Sequence, residues 1–219
     1  MMRRIKTWIG VAGCGVLAGC MIGRAPSTVA LSRAIHTQVE AGEVAGAVAC
    51  VVDGKRVLQA VTDGFADREA ARPMRTDTLF WIASMTKPVT ACAVMMLLDE
   101  GKLDLDAPVS AYLPEFSGLK TADGRPAVPT LRQMLTHTSG MAEPAQADQL
   151  AARTLAELMP HIAAKPALFT PGDRWQYSQS GMNALGRVVE VLSGMPFDRF
   201  LAERLFKPLD MRDTTFYPD

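Results

Sequence analysis

The residues best equipped for covalent chemistry lie in Ser84-Met85-Thr86-Lys87-Pro88, directly ahead of an apolar run. A serine hydroxyl is a poor nucleophile until a base takes its proton, and a lysine serves as that base only where desolvation or a nearby cation makes it yield its own. Residues three apart are neighbours on a helix, so the Lys87 amine can approach the Ser84 hydroxyl. Pro88 fixes the placement. Proline is tolerated in the first turn of a helix, so the helix begins about three or four residues before it and Ser84 stands at its N-terminal end. There the Ser84 backbone N–H can serve an oxyanion at the positive end of the helix dipole. The spacing alone is a weak signal, and a helix-capping serine beside a solvated lysine gives it too. Ser117-Gly118-Leu119-Lys120 repeats it in a Gly/Pro-rich stretch where nothing holds the two side chains together, so context selects Ser84.

A second signal is Trp175-Gln176-Tyr177-Ser178-Gln179-Ser180-Gly181, after the turn-forming Pro171-Gly172-Asp173 and before a helix. A tyrosine hydroxyl near a lysine can pass a proton between nucleophile, lysine and leaving group. Alone, Tyr177 reads as a half-buried core residue; paired with Ser84 and Lys87 it becomes a candidate for catalysis. His36, His137 and His161 show no ligand spacing and no acidic partner can be named for them, which favours a Ser-Lys-Tyr set over a Ser-His-Asp triad. Asp104 and Asp106 sit in a Pro-containing loop and read as solvated turn residues, not metal ligands.

Apolar periodicity supplies the elements that must position these groups. Leu31, Ile35 and Val39 predict a helix over Val29–Ala41, stopped by Gly42. A hairpin follows, with strands over Ala45–Val52 and Arg56–Thr62 joined by Asp53-Gly54-Lys55 and ended by Asp63-Gly64. Val89, Ala93, Met96 and Leu97 stripe a helix from Thr86 to near Gly101. The Gly- and Pro-rich stretch 101–129 predicts mainly loop with short helical turns. Helices are expected at 130–136, 148–163, 181–193 and 197–206. An isolated two-stranded ribbon is marginal in water, so further strands are expected.

The chain of 219 residues is 48% hydrophobic and 21% charged, as ordinary globular proteins are, and its 23 basic and 23 acidic residues leave no basic footprint for nucleic acid. Arg3, Arg4 and Lys6 precede the uncharged run Trp8–Gly19, which reads as a secretory signal over residues 1–19. It ends in Leu17-Ala18-Gly19-Cys20, which looks like a bacterial lipobox. Cys20 is therefore the expected lipidation site, followed by a linker over 20–28, and the protein is expected in the bacterial cell envelope, lipid-anchored to a membrane and periplasm-facing. Cys14 leaves with the signal. Cys50 and Cys92 lie in apolar runs and read as two buried thiols more readily than as a bridge.

The ordered set Gly64-Phe65-Ala66-Asp67, Ser84-Met85-Thr86-Lys87-Pro88, Gly101-Lys102-Leu103-Asp104-Leu105-Asp106, Leu135-Thr136-His137-Thr138-Ser139-Gly140 and Pro171-Gly172 with Trp175-Gln176-Tyr177-Ser178 resembles the serine β-lactamase-related superfamily. Within it the chain resembles family VIII carboxylesterases and class C β-lactamases. The resemblance implies an α+β fold of the β-lactamase/penicillin-binding-protein type over residues 29–219, with an antiparallel-sheet lobe beside an all-helical lobe and the site between them. It implies Ser84 as the acylated nucleophile, Lys87 as its base partner and Tyr177 as the second proton-transfer group. A small-molecule ester or amide is the implied substrate, and no metal or organic cofactor is implied. Where class C enzymes carry Tyr-x-Asn this chain has Tyr177-Ser178-Gln179, which suits an esterase better than a β-lactamase. The family's third motif, Lys-Thr-Gly or a substitute, does not follow Tyr177, so the domain is expected to lack its C-terminal strands and helix, and with them a second oxyanion donor. The expectation is an exported serine hydrolase; the alternative is a membrane-tethered binding lipoprotein of the same fold with impaired catalysis.

Overall fold

Leu31, Ile35 and Val39 form the half-buried stripe of an otherwise exposed helix α1, Thr28–Glu40, closed by Gly42 at φ +74°. The computed structural model describes residues 28–218; the expected signal, Cys14 and the Cys20 lipid site lie outside the described residues. The chain divides into two compact units, one ending at Leu79 and one beginning at Phe80.

In the first unit α1 packs on an antiparallel sheet of order β1-β2-β3, formed by Gly46–Val52, Val57–Asp67 and Arg72–Pro73. Asp53 builds the connecting turn, its Oδ1 accepting from the N–H groups of Lys55 (2.8 Å) and Arg56 (2.9 Å). The second strand does not end at Gly64 as expected. Gly64 faces Gly46 across the pair at φ +75°, and a Cβ on Gly46 would meet the Phe65 carbonyl oxygen at 2.6 Å. The two glycines let the backbones pass closely while β2 runs on to Asp67 and pairs with the third strand, too short to show a period.

The second unit is helical, with isolated β-bridges only among its described residues. Helix α2, Thr86–Asp99, buries Thr90, Ala93, Val94 and Leu97. Stretch 101–129 is loop with 3-10 turns at Val109–Ala111 and Pro114–Phe116, as expected. Helix α3, Leu131–Leu135, starts with a capping box between Thr130 and Gln133. The expected single helix over 148–163 is two, α4 (Gln146–Ala151) and α5 (Leu155–Ala163), because Ala152 is extended and Thr154 caps a new start by accepting from the Glu157 N–H at 3.1 Å. Helix α6, Gln179–Ser193, begins two residues before the expected 181 and ends at Gly194, φ +69°. Helix α7, Phe197–Leu201, continues as a π turn over Ala202–Phe206. The core joins α2 to α6 through residues such as Val94, Leu97, Leu185 and Val189, with Met134 of α3 and Phe200 of α7 fully buried beside them.

Cys50 and Cys92 are free, but both are exposed, against the expectation of buried thiols. Cys50 falls on the outward side of the β1 alternation. Cys92 stands two residues from Thr90, off the buried 90/93/94/97 stripe.

Candidate active site

A 3-10 turn, Ala83–Met85, leads directly into α2 and carries Ser84. Pro88 occupies the first turn of α2, where its missing N–H has no helical partner to lose. Ala83, just before the serine, is held at φ +44°, a conformation costly for a residue with a Cβ. The strained residue turns the chain so that Ser84 is exposed at the helix entrance.

The three expected site residues converge. Lys87 Nζ donates to Ser84 Oγ at 3.2 Å, and the Tyr177 hydroxyl donates to the same oxygen at 2.7 Å. Lys87 Nζ also lies 4.7 Å from the centroid of the Tyr177 ring. Burial works to raise the Tyr177 phenol, but its interactions with Lys87 and Ser84 outweigh that and hold it below the usual tyrosine value. Ser84, Lys87 and Tyr177 all belong to the second unit. The other Ser-x-x-Lys, at Ser117 and Lys120, stays in loop, where Lys120 bridges Pro126.

Gln179 keeps its amide within reach of the lysine. Its Oε1 accepts from Lys87 Nζ at 2.6 Å, while its Nε2 donates to Asn183 Oδ1 at 3.0 Å, one helical turn on. The second bond fixes which end of the amide faces the ammonium.

Tyr177 is held by a ladder between the loop after α3 and the segment before α6. Leu168 N–H donates to the Gly140 carbonyl, Gly172 N–H to that of Thr138 and Gln176 N–H to that of His137, each at 2.8 Å. Gly140, at φ +71°, permits this approach, since a Cβ there would meet the Phe169 carbonyl oxygen at 2.5 Å. His137 Nδ1 accepts from the Ser178 N–H at 3.3 Å, and its ring lies over that of Tyr177, centroids 4.7 Å apart. Burial first, and the Lys87 charge second, hold the His137 imidazole below its ordinary value.

Glu143 completes the support. Its carboxylate accepts from the N–H groups of Gln179 (2.7 Å) and Ser180 (3.0 Å) and from the hydroxyls of Ser180 (2.7 Å) and Ser178 (3.2 Å). These are donors of the first turn of α6, which an acidic group stabilises. Sequence reasoning missed both His137 and Glu143 as parts of the site. The motif around His137 was visible, but its contact with Tyr177 spans forty positions and has no local signature. The remaining histidines lie elsewhere: His36 contacts Asp63 (2.7 Å) and Glu40 (3.2 Å), and His161 contacts Asp148 (3.5 Å). Asp104 is a turn residue whose Oδ1 accepts from the Asp106 N–H, and Asp106 is an exposed partner of Arg132 at 2.7 Å.

A family model described as Beta-lactamase matches residues 31–219. The chain belongs to the beta-lactamase family. Among curated proteins of this family, esterase EstB of Burkholderia gladioli is 42% identical over 185 residues, covering 78% of this chain and 47% of EstB. Lovastatin esterase of Penicillium rubens is 30% identical over 211 residues, covering 86% of this chain and 53% of that protein. Among solved structures, EstCE1, a hydrolase with promiscuous acyltransferase activity, superposes with a TM-score of 0.78 at 29% identity, covering 87% of this chain and 53% of its own. The octameric penicillin-binding protein homologue from Pyrococcus abyssi gives 0.71 at 26% identity, with coverages of 85% and 44%. The chain thus spans about half the length of the relatives it matches. The fold is that of the β-lactamases and penicillin-binding proteins, with a small antiparallel sheet and a set of helices.

Proposed function

We propose that the protein is an exported serine hydrolase that cleaves carboxylic esters through an acyl-enzyme on Ser84. The observation that carries this reading is the shared Ser84 oxygen, approached by Lys87 Nζ and the Tyr177 hydroxyl at 3.2 and 2.7 Å. The reactive form has Tyr177 as a phenolate beside the Lys87 ammonium, which the lowered phenol favours; in the first step Ser84 Oγ forms a bond to the ester carbonyl carbon while its proton passes to the Tyr177 oxygen. The oxyanion is met by the Ser84 N–H at the start of α2. Collapse breaks the ester C–O bond, and the pair returns the proton to the leaving alkoxide through Tyr177. Water then attacks the acyl carbon and loses a proton to Tyr177; collapse breaks the Ser84 Oγ–acyl bond, Tyr177 returns that proton to Ser84 Oγ, and the acid is released.

Three features favour an ester over a β-lactam. Gln179 stands where class C enzymes have Asn, and two of the similar proteins are esterases by name. The chain around the site also exposes Trp81, Met85 and Trp175, an apolar surround suited to an uncharged acyl group. A fluorophosphonate probe tests the reading: the labelled peptide should contain Ser84, and Ser84→Ala should abolish labelling. Labelling that survives the substitution overturns it. Short-chain p-nitrophenyl esters should turn over faster than nitrocefin; the reverse order would make the protein a β-lactamase.

The same proposal places the protein on a membrane through a lipid on Cys20. The basic residues Arg3, Arg4 and Lys6, the apolar run and Leu17-Ala18-Gly19-Cys20 support it, and one thioether-linked diacylglycerol supplies the two chains that stable anchoring needs. Palmitate incorporation that disappears in Cys20→Ser is the expected result; no incorporation in the wild type overturns the anchor.

A further inference from the structure

We propose that His137 is a positioning residue for Tyr177, holding the phenol against Ser84 only while its imidazole is neutral. The inference rests on the hydrolase reading for its consequence in catalysis, and on geometry for the rest.

His137 ends α3 in the left-handed region, at φ +59°. The Thr138 N–H reaches back to the Gln133 carbonyl at 2.8 Å, the bond that commonly closes a helix around such a residue. Elsewhere this chain gives the task to glycine: Gly42 after α1, Gly101 after α2 and Gly194 after α6 have φ of +74°, +68° and +69°. Glycine makes that turn without strain. A histidine there is explained by what its side chain touches.

It touches the tyrosine segment on three sides. The His137 carbonyl accepts from the Gln176 N–H at 2.8 Å, before Tyr177. Its Nδ1 accepts from the Ser178 N–H at 3.3 Å, after it. Its ring covers the Tyr177 ring at 4.7 Å with planes 36° apart, and its edge meets Trp175 at 6.1 Å. Both peptide neighbours of Tyr177 and the phenol ring itself are therefore fixed by one residue.

An Nδ1 that accepts carries no proton, so the neutral tautomer bears its hydrogen on Nε2. Protonation would set an N–H at Nδ1 against the Ser178 N–H, turning an attraction into a repulsion. The ionisable groups around the ring are Lys87 from α2, whose charge opposes a second cation, and Tyr177 from the segment before α6. Glu143 stands one hydrogen bond further, on Ser178. Arg132 of α3 is taken up by Asp106, and Arg174 stacks on Phe169. The loss of Ser84 reactivity on acidification should thus follow His137.

The test uses the full chain with isotope-labelled histidine and tyrosine, observed by NMR as pH is lowered. His137 should show an unprotonated Nδ1 at neutral pH and titrate below His36, and the Tyr177 ring signal, assigned with Tyr177→Phe, should shift with the same midpoint. His137→Asn keeps an acceptor at the Nδ1 position and tolerates the left-handed backbone; in it the Tyr177 shift should vanish and the acid fall in fluorophosphonate labelling of Ser84 should go with it. His137→Phe keeps a ring without the acceptor and should slow labelling about tenfold or more at every pH, since displacing a reacting group by an ångström costs up to about a hundredfold. A Tyr177 signal that stays still through the His137 titration overturns the proposal, as does wild-type labelling in His137→Phe. Failure of the wild type to label Ser84 at all would sink the hydrolase reading instead, and the NMR titration would still decide for His137.

Discussion

Ala83, at φ +44°, orients Ser84 at a conformational cost of about 1–2 kcal/mol for a residue bearing a Cβ. A β-branched side chain is far less tolerant of that region. Ala83→Val should therefore lower stability by about 1–3 kcal/mol and slow labelling of Ser84, as denaturant unfolding and probe kinetics would measure; an unchanged midpoint would mean the turn relaxes. Gln179 presents a second case. Its Oε1 holds the Lys87 ammonium at 2.6 Å, and Asn183 holds the amide. Gln179→Ala should slow the Ser84 reaction about tenfold, roughly the worth of one hydrogen bond to a charged group at this exposure, with little effect on unfolding. A rate equal to wild type would show that Ser84 and Tyr177 position Lys87 unaided. Ser84, Lys87 and Tyr177 were legible because the first two share a helix turn and the third lies in a motif of the family. Ala83 was not, since alanine carries no sign of a left-handed backbone. His137 and Glu143 were hidden for another reason: their backbone and side-chain partners lie some forty positions away, which no local pattern reports.

Helix α6 carries much of the site, and its entrance is capped twice. Ser178 Oγ accepts from the Gly181 N–H at 3.1 Å, and Glu143 takes the N–H groups of Gln179 and Ser180. Losing a serine cap costs about 1 kcal/mol, whereas leaving two helix donors and two hydroxyls without their acceptor costs about 1–3 kcal/mol. Glu143→Ala should therefore be more destabilising than Ser178→Ala, and Glu143→Gln, which keeps one acceptor oxygen, should fall between. Chemical unfolding of the three variants gives the order; a harmless Glu143→Ala would show that water replaces the carboxylate. The periodic helices α1, α2 and α6 were legible from sequence because each buries one stripe. The break between α4 and α5 has a local sign, the Thr-x-x-Glu pattern of a helix start at Thr154-Leu155-Ala156-Glu157, which the expected single helix over 148–163 runs across. The third strand, two residues long, has no alternation to read.

Across the two units, two histidines oppose each other in pH. His36 of the first unit is raised above its ordinary value by its hydrogen bond to Asp63, then by the Glu40 charge. Its contribution to stability is present below the ordinary imidazole value and is lost as pH rises through its own. His137 of the second unit is depressed, so its contribution is present above the ordinary value and is lost as pH falls toward its own. His36→Ala should destabilise on the acid side only, and His137→Asn should remove part of the acid loss, as unfolding midpoints against pH would reveal. The sheet leads to the last expectation. Among the described residues β1 bonds to β2 alone, and its Ala47–Val52 segment has no charge to deter pairing with another chain. Val52 and Val57, where the two strands meet, are 63% and 60% exposed. Such an edge recruits strands from other copies, and a lysine on it opposes that, because bringing two such edges together would desolvate the ammonium. The purified chain should self-associate with rising concentration, and Val52→Lys should suppress this while leaving the free energy of unfolding within about 0.5 kcal/mol, as for a surface substitution. Light scattering across a concentration series decides it: equal association in Val52→Lys would move the contact away from β1.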